Sequence, residues 1–292
     1  MADFTENIAF YTFLWYNTYS FTVKGLFDMF EKEILPDIHE ISHKLVVRPE
    51  TSHYTNHIHH YCEMLLFLSG DVDFNINGHL YTPRPYDLIL IPQQTYHNLI
   101  PRSEKKYENY VIGFAPSLLE PDQYMRIFTP PLVVNVCDNG DFLQIFKMLD
   151  LSYDLLSEPD FARCAAAIVQ QLLIFCSYLP KEADPTVSVN PVVQSIVSYI
   201  RENLTVELNA QIIADRLMFS KSYIQNVFDK AMHIGLKQYI LQQKIYAAYN
   251  DIRSGTLSPT QACQKYAFQD YTSFYRLFRK TFGTSPKQIL NI

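Results

Sequence analysis

Apolar and polar positions follow two different periods along this chain. Between His57 and about Val136, the runs Tyr61 to Leu68, Val72 to Ile76, Leu88 to Ile91, Tyr110 to Phe114 and Leu132 to Val136 are short and either alternating or continuously apolar. That is the pattern of β-strands. Ser69-Gly70-Asp71, Asn77-Gly78, Thr82-Pro83, Pro92 and Pro116 punctuate them as turns. Asn77-Gly78 predicts a tight hairpin, because Gly supplies the positive φ such a turn requires. Many short strands at this spacing predict a sandwich or barrel. From Asp141 the period becomes helical: Phe142, Ile145, Phe146 and Leu149, then Ile168, Val169, Leu172, Leu173 and Cys176. Ser157-Glu158-Pro159-Asp160 separates the two runs, with Pro suited to a helix start. The expected element is an αα-hairpin whose second helix needs an apolar partner beyond the hairpin itself.

The segment 180–191, PKEADPTVSVNP, is polar, holds three prolines and has no period; it reads as a linker. The remaining residues are helical by pattern and contain a repeat at an offset of 50. Ser222 aligns with Thr272, Ile224 with Phe274, Val227 with Leu277, Phe228 with Phe278, Lys230 with Lys280, Lys237 with Lys287 and Gln238 with Gln288. Each copy reads as a helix–turn–helix. The first has a helix from Ala210 to Leu217, a turn at Met218-Phe219, an N-cap at Ser220 and a helix from Lys221 to Lys230. The second has a helix from Gln261 to Tyr266, a turn at Ala267-Phe268, a cap at Asp270 and a helix from Tyr271 to Phe282. The predicted class is α+β, with a β-barrel followed by an all-α domain. The predicted divisions are an N-terminal arm or helix over 1–40, a barrel over 41–137, a helical hairpin over 138–180, a linker over 181–190 and a helical domain over 191–292.

Charge supports two roles. Residues 190–292 hold 12 Lys and Arg against 6 Asp and Glu, whereas residues 1–189 hold 12 against 24. A basic piece joined to an acidic one points to a polyanion at the C-terminal end alone. The five cysteines, Cys62, Cys137, Cys164, Cys176 and Cys263, are odd in number and form no C-x-x-C pair. They read as buried apolar residues in a reducing cytoplasm, not as a disulfide framework. The aromatic stretch from Asn7 to Phe30 follows Asp3 and Glu6 and carries Asn17 and Lys24. It is expected to be an arm or helix packed on the body, and neither a signal peptide nor a membrane span.

The run CQKYAFQDYTSFYRLFRKTFGTSPKQ resembles the signature of AraC-type bacterial transcription regulators. The family pattern falls on Cys263, Ala267, Phe268, Phe274, Arg276, Phe278, Arg279, Lys280, Gly283, Ser285 and Pro286. IIADRLMFSKSYIQNVFDK resembles the first helix–turn–helix of that family, and Ile240 to Ile252 its connecting helix. The resemblance covers about 100 residues. It departs at Cys263 (usually Ala), Ala267 and His233 (usually Gly) and Lys244 (usually Arg). If the turn at Ala267 needs left-handed backbone, alanine costs about 1 kcal/mol there.

The resemblance implies groove-facing residues Lys221, Ser222, Gln225 and Asn226 in the first unit and Asp270, Tyr271, Thr272 and Arg276 in the second. Lys230, Arg279 and Lys280 are then backbone contacts. Two recognition helices would enter successive major grooves about 34 Å apart. The implied partners are double-stranded promoter DNA, RNA polymerase, a second copy joined through the hairpin and a small-molecule effector; no membrane, cofactor or catalytic residue is implied.

HIHHYCEMLLFLSG resembles the first cupin motif through His57, His59, Glu63 and Gly70, and DLILIPQQTYHNL a degraded second motif through Pro92 and His97, with Asp87 and Gln94 where glycines are usual. Read as one strand, the segment would turn His57, His59 and Glu63 to a pocket and His60 away. His53 and His79 read as hairpin surface. Two alternatives stand for His57, His59, Glu63 and His97. They line an effector pocket with Tyr61, the effector a sugar stacked on tyrosine, or they ligate Fe, Mn, Ni or Zn.

Overall fold

Strands begin earlier in the chain than the alternation predicts. The computed structural model describes residues 26–32, 37–49, 54, 57–181 and 188–289. Its first two elements are β1 (Leu26–Lys32) and β2 (Ile38–Val46). Part of the stretch expected as an arm or helix is therefore sheet, and the barrel starts before residue 41. Residues 1–25 of the expected arm, and His53, lie outside the described residues. β3 (Cys62–Ser69), β4 (Val72–Ile76), β5 (His79–Tyr81), β6 (Asp87–Ile91), β7 (His97–Pro101), β8 (Tyr107–Phe114) and β9 (Val133–Asn135) follow. β10 (Ser188–Val189) pairs with β5, so the end of the expected linker is a sheet edge.

Two antiparallel sheets face each other, in the orders β1-β2-β8-β3-β6-β9 and β10-β5-β4-β7. The Asn77-Gly78 hairpin forms as predicted: Ile76 pairs with His79, and φ is 50° at Asn77 and 82° at Gly78. Leu65 and Phe67 of β3 point between the sheets to Phe74, Leu99 and Val111. Met64 and Leu66, on the other face, pack under α2 (Gly140–Leu155) and α3 (Glu158–Cys176) through Phe146, Leu149, Val169 and Leu172. The larger sheet is thus covered on both faces, which is why its central strands read as unbroken apolar runs. The same packing supplies the partner that α3 needs. A short helix, α1 (Pro121–Phe128), closes one end of this layer. His43 anchors α2 to the barrel: its Nδ1 lies 2.9 Å from Asp150, its Nε2 3.3 Å from Glu108, and Tyr110 donates to Asp150.

The C-terminal domain consists of α4 (Pro191–Glu202), α5 (Ala210–Leu217), α6 (Lys221–Met232), α7 (Leu236–Arg253), α8 (Pro259–Lys265), α9 (Tyr271–Phe282) and α10 (Pro286–Ile289). α5 and α9 have the predicted bounds, and α7 is the connecting helix. Both predicted caps form: Ser220 Oγ accepts from Tyr223 N–H, and the Asp270 carboxylate accepts from Ser273 N–H. The repeat is offset by 49 at the left-handed turn residues, Met218 (φ 59°) and Ala267 (φ 51°), and by 50 after them. The second turn is one residue longer.

α6 and α9 end at the same left-handed position, His233 (φ 51°) in one copy and Gly283 (φ 69°) in the other. A Cβ at Gly283 would meet nothing within 4 Å, so alanine there reports backbone conformation alone. Gly283→Ala is expected to cost about 1 kcal/mol, and Ala267→Gly and His233→Gly to gain a similar amount each, in urea denaturation. A neutral Gly283→Ala would contradict the left-handed assignment.

Candidate functional site

The helical repeat presents the same face twice. α6 and α9 each span 12 residues, and their exposure patterns are identical position by position over the first ten. Ile224 and Phe228, and likewise Phe274 and Phe278, are buried at i, i+4 and hold each helix to its domain. Lys221, Ser222, Asn226 and Lys230 of α6 are exposed, as are Tyr271, Thr272, Arg276, Arg279 and Lys280 of α9 and its cap Asp270; Gln225 is half-buried. Lys237 and Lys287, one turn further on, are exposed in both copies. The predicted groove-facing residues of each unit therefore share one solvent face, apart from the partial cover on Gln225.

The copies differ in charge. Asp229 stands where Arg279 does in the repeat, and its carboxylate accepts from Leu236 N–H at the start of α7. The Asp270 carboxyl is held below the usual carboxylate range by hydrogen bonds from Ser273, backbone first, with the positive charge of Arg276 adding to them. Met218 (91% exposed) and Phe219, expected only as a turn, form an apolar tip with Tyr223 on the first unit. Lys244 lies inside the domain, donating to the Val206 carbonyl, and burial lowers its pKa.

The second site lies at the end of the barrel that meets the helical domain. The segment carrying His57 and His59 is not a strand continuous with Glu63. His57 forms an isolated bridge with His97, a bend follows at His60 and Tyr61, and β3 starts at Cys62. The bend nonetheless brings the four predicted residues together: one ligand atom each from His57, His59, Glu63 and His97 lies within 4.8 Å of the others. His59, Glu63 and His97 are buried and His57 is exposed. Tyr61 does not line this site. Its ring is stacked between His59 (3.9 Å) and His39 (4.7 Å), which occupies both faces. His60 packs on Tyr249 of α7 at 5.0 Å. Burial first, then the positive charges of His39, Arg253 and His59, push its pKa down to about 4, so it is neutral at pH 7.

The tautomers follow from the partners. His59 Nδ1 lies 2.6 Å from the Tyr61 carbonyl and His97 Nδ1 2.9 Å from the Thr95 carbonyl. A carbonyl only accepts, so both Nδ1 atoms carry hydrogen. Each Nε2 then points toward Glu63, 3.1 Å from His59 and 3.7 Å from His97. His97 Nε2 is buried and makes no hydrogen bond. Burial alone would raise the Glu63 carboxyl, but the hydrogen bond from His59 and the charge of His97 and His59 outweigh it and hold it well below the usual range. Imidazole lone pairs facing a carboxylate require a shared cation, either a proton or a metal ion. Ligand bonds of about 2.1 Å keep ligand atoms within about 4.2 Å of one another, so a shift of a few tenths of an ångström would close the set on an ion. The residues fit a divalent metal.

Residues 45–173 match the family described as "AraC-like ligand binding domain", and residues 213–292 match a "Helix-turn-helix domain". The chain is similar to the Msm operon regulatory protein of Streptococcus mutans, 22% identical over 236 residues, which are 76% of this chain and 81% of that protein. It is also similar to the HTH-type transcriptional activator AarP of Providencia stuartii, 30% identical over 95 residues, 32% of this chain and 70% of that protein. ToxT of Vibrio cholerae aligns over 87% of this chain and 98% of its own at 12% identity, with a TM-score of 0.37.

Proposed function

The chain belongs to the AraC-type transcription regulators, and from that premise we propose that it activates transcription when its N-terminal domain takes a small effector. The carrying observation is the duplicated basic face, two helices with the same exposure on one connecting helix. Arg276 reads a guanine edge, and Lys280 with Arg279 and Lys230 holds phosphates. Arg276→Ala is expected to relax base preference, costing about 1–3 kcal/mol on the preferred site and little on random DNA. Lys280→Ala weakens binding to all sequences alike and lowers the salt slope by about 1. Equal loss on selected and random duplexes for Arg276→Ala would sink the assignment. Activation, and with it contact with RNA polymerase, draws on the similarity to a protein named as an activator. Free thiols at all five cysteines fit the cytoplasm.

A second copy is the proposed partner of the helical hairpin. Met148, Leu151, Leu155 (71% exposed), Ile174 and Phe175 leave an apolar face on α2 and α3 opposite the sheet. Phe175→Glu is expected to sediment as a monomer where the unsubstituted protein is a dimer; a dimer in both would remove this face from consideration.

For the effector, a second reading has a specific observation behind it. The ligand atoms of His57, His59, Glu63 and His97 lie within 4.8 Å of one another, and Tyr61, stacked between two histidines, offers no free face to a sugar. The cluster then holds a divalent transition metal, with His and carboxylate ligation suited to Fe, Mn, Ni or Zn. Elemental analysis is expected to find near one equivalent of metal in the purified protein and none in Glu63→Gln; metal-free protein after reconstitution would return the site to an organic effector.

A further inference from the structure

The two segments that carry the polar cluster also carry the contacts between the barrel and the connecting helix. His57 and His97 exchange backbone hydrogen bonds of 3.1 Å, and Gln94 N–H donates to the His59 carbonyl at 2.9 Å. Segments 57–60 and 93–97 are therefore joined through their backbones. On their outer side they meet α7. Tyr246 Oη donates to the Ile58 carbonyl at 2.6 Å, Gln243 to the Gln94 carbonyl at 3.2 Å and Asn250 to Gln93 Oε1 at 3.3 Å. Tyr239, Gln243, Tyr246 and Asn250 recur at spacings of 4, 3 and 4, so they form one stripe about 16 Å long on a single helix face.

Three tyrosines on α7 touch a recognition helix as well. Tyr239 lies 5.7 Å from the ring of Tyr96 in the barrel and 5.1 Å from Phe228 of α6. Tyr246, bonded to Ile58, lies 5.1 Å from Phe282 of α9. Tyr249 lies 5.0 Å from His60 and 4.3 Å from Phe282. Each tyrosine thus bridges one sensor segment and one recognition helix, the first unit through Tyr239 and the second through Tyr246 and Tyr249.

We infer that Tyr239, Tyr246 and Tyr249 of the connecting helix couple occupancy of the His57–His59–Glu63–His97 site to the relative placement of the two recognition helices. This rests on the reading that the cluster is where the sensor domain takes its ligand. A ligand that draws these four side chains together shifts the Ile58 and Gln94 carbonyls against α7. Because the same tyrosines seat Phe228 and Phe282, arrangements of the two helices on DNA then differ in ligand affinity. By linkage, DNA changes ligand affinity by the same factor.

The test is a double-mutant cycle on the full chain, using a duplex selected from random-sequence DNA. Tyr246→Phe keeps the ring on Phe282 and removes only the bond to Ile58. Glu63→Gln is expected to change the DNA Kd at least threefold in the wild-type background and less than 1.5-fold in the Tyr246→Phe background. His57→Ala, at an exposed position, replaces Glu63→Gln if that variant does not fold. The same fold-change in both backgrounds, or no change in the wild type, overturns the inference. A Co²⁺ titration followed by its visible absorption separates the two levels. If no Co²⁺ binds, the metal reading falls and the cycle still decides the coupling. If Co²⁺ binds and shifts the DNA Kd equally in wild type and Tyr246→Phe, the coupling falls and the metal reading stands.

Discussion

Replacing Phe278 by alanine is expected to destabilise the protein by about 3–5 kcal/mol and to abolish DNA binding by the second unit. Phe278 is fully buried, with its ring 4.7 Å from Phe282, 5.7 Å from Phe274 and 6.0 Å from Tyr249. Alanine would leave a cavity among aromatic neighbours that cannot collapse without tilting α9 off α7. Against a total of about 5–15 kcal/mol for an ordinary domain, that loss takes much of the stability of the helical domain. Phe228, its counterpart in the first unit, is fully buried as well, with its ring 5.1 Å from Tyr239, and is expected to behave alike. Arg279→Ala supplies the contrast: it is exposed, so its midpoint should stay within about 0.5 kcal/mol of the wild type while its DNA affinity falls. Urea denaturation followed by circular dichroism reads both. A Phe278→Ala midpoint indistinguishable from that of Arg279→Ala would show that the repeat does not pack on this residue.

Glu63→Ala is expected to cost about 3–5 kcal/mol, because it strips the partner from two buried histidines. The cost should depend on pH in a definite direction. The folded-state carboxyl is held well below its ordinary value of 4.5: burial pushes it up, and His59 and His97 more than offset that. Its stabilisation is therefore fully present above about pH 4.5, where the unfolded carboxylate is also ionised, and is lost as the pH falls through the depressed folded value. The gap between wild type and Glu63→Ala should be widest at neutral pH and narrow under acid. A gap that stays constant from pH 7 to pH 3.5 would assign the effect to lost packing volume and remove charge from the account.

Much of the helical domain was legible in the chain because its determinants are local. The bounds of α5 and α9, the caps at Ser220 and Asp270 and the left-handed strain at Ala267 depend on residues within one turn of each other. The repeat at Phe228 and Phe278 carried the core positions with it. The Asn77-Gly78 hairpin was equally local. By contrast, β2 is hidden in the sequence because polar residues such as Ser42 and His43 break its alternation. These are tolerated only because Glu40, Glu108 and Asp150 reach them, the latter two from distant elements. Tyr61 and His60 were placed by assuming a continuous strand. The bend before Cys62 turns Tyr61 between two histidines and His60 onto α7.

By itself the sequence determined the class of each domain, the duplicated helix–turn–helix units and the identity of the four clustered side chains. These rest on helical period, cap chemistry and residue type at short range. Only the tertiary structure decided that a bend, and not a strand, gathers His57 and His59 with Glu63 and His97. It likewise decided that the polar stripe from Tyr239 to Asn250 faces the barrel and not water. The first depends on contacts between segments up to 40 residues apart, and the second on surfaces that meet across more than a hundred residues of chain. Burial there gives Gln243 and the Tyr246 hydroxyl backbone acceptors that no local pattern encodes.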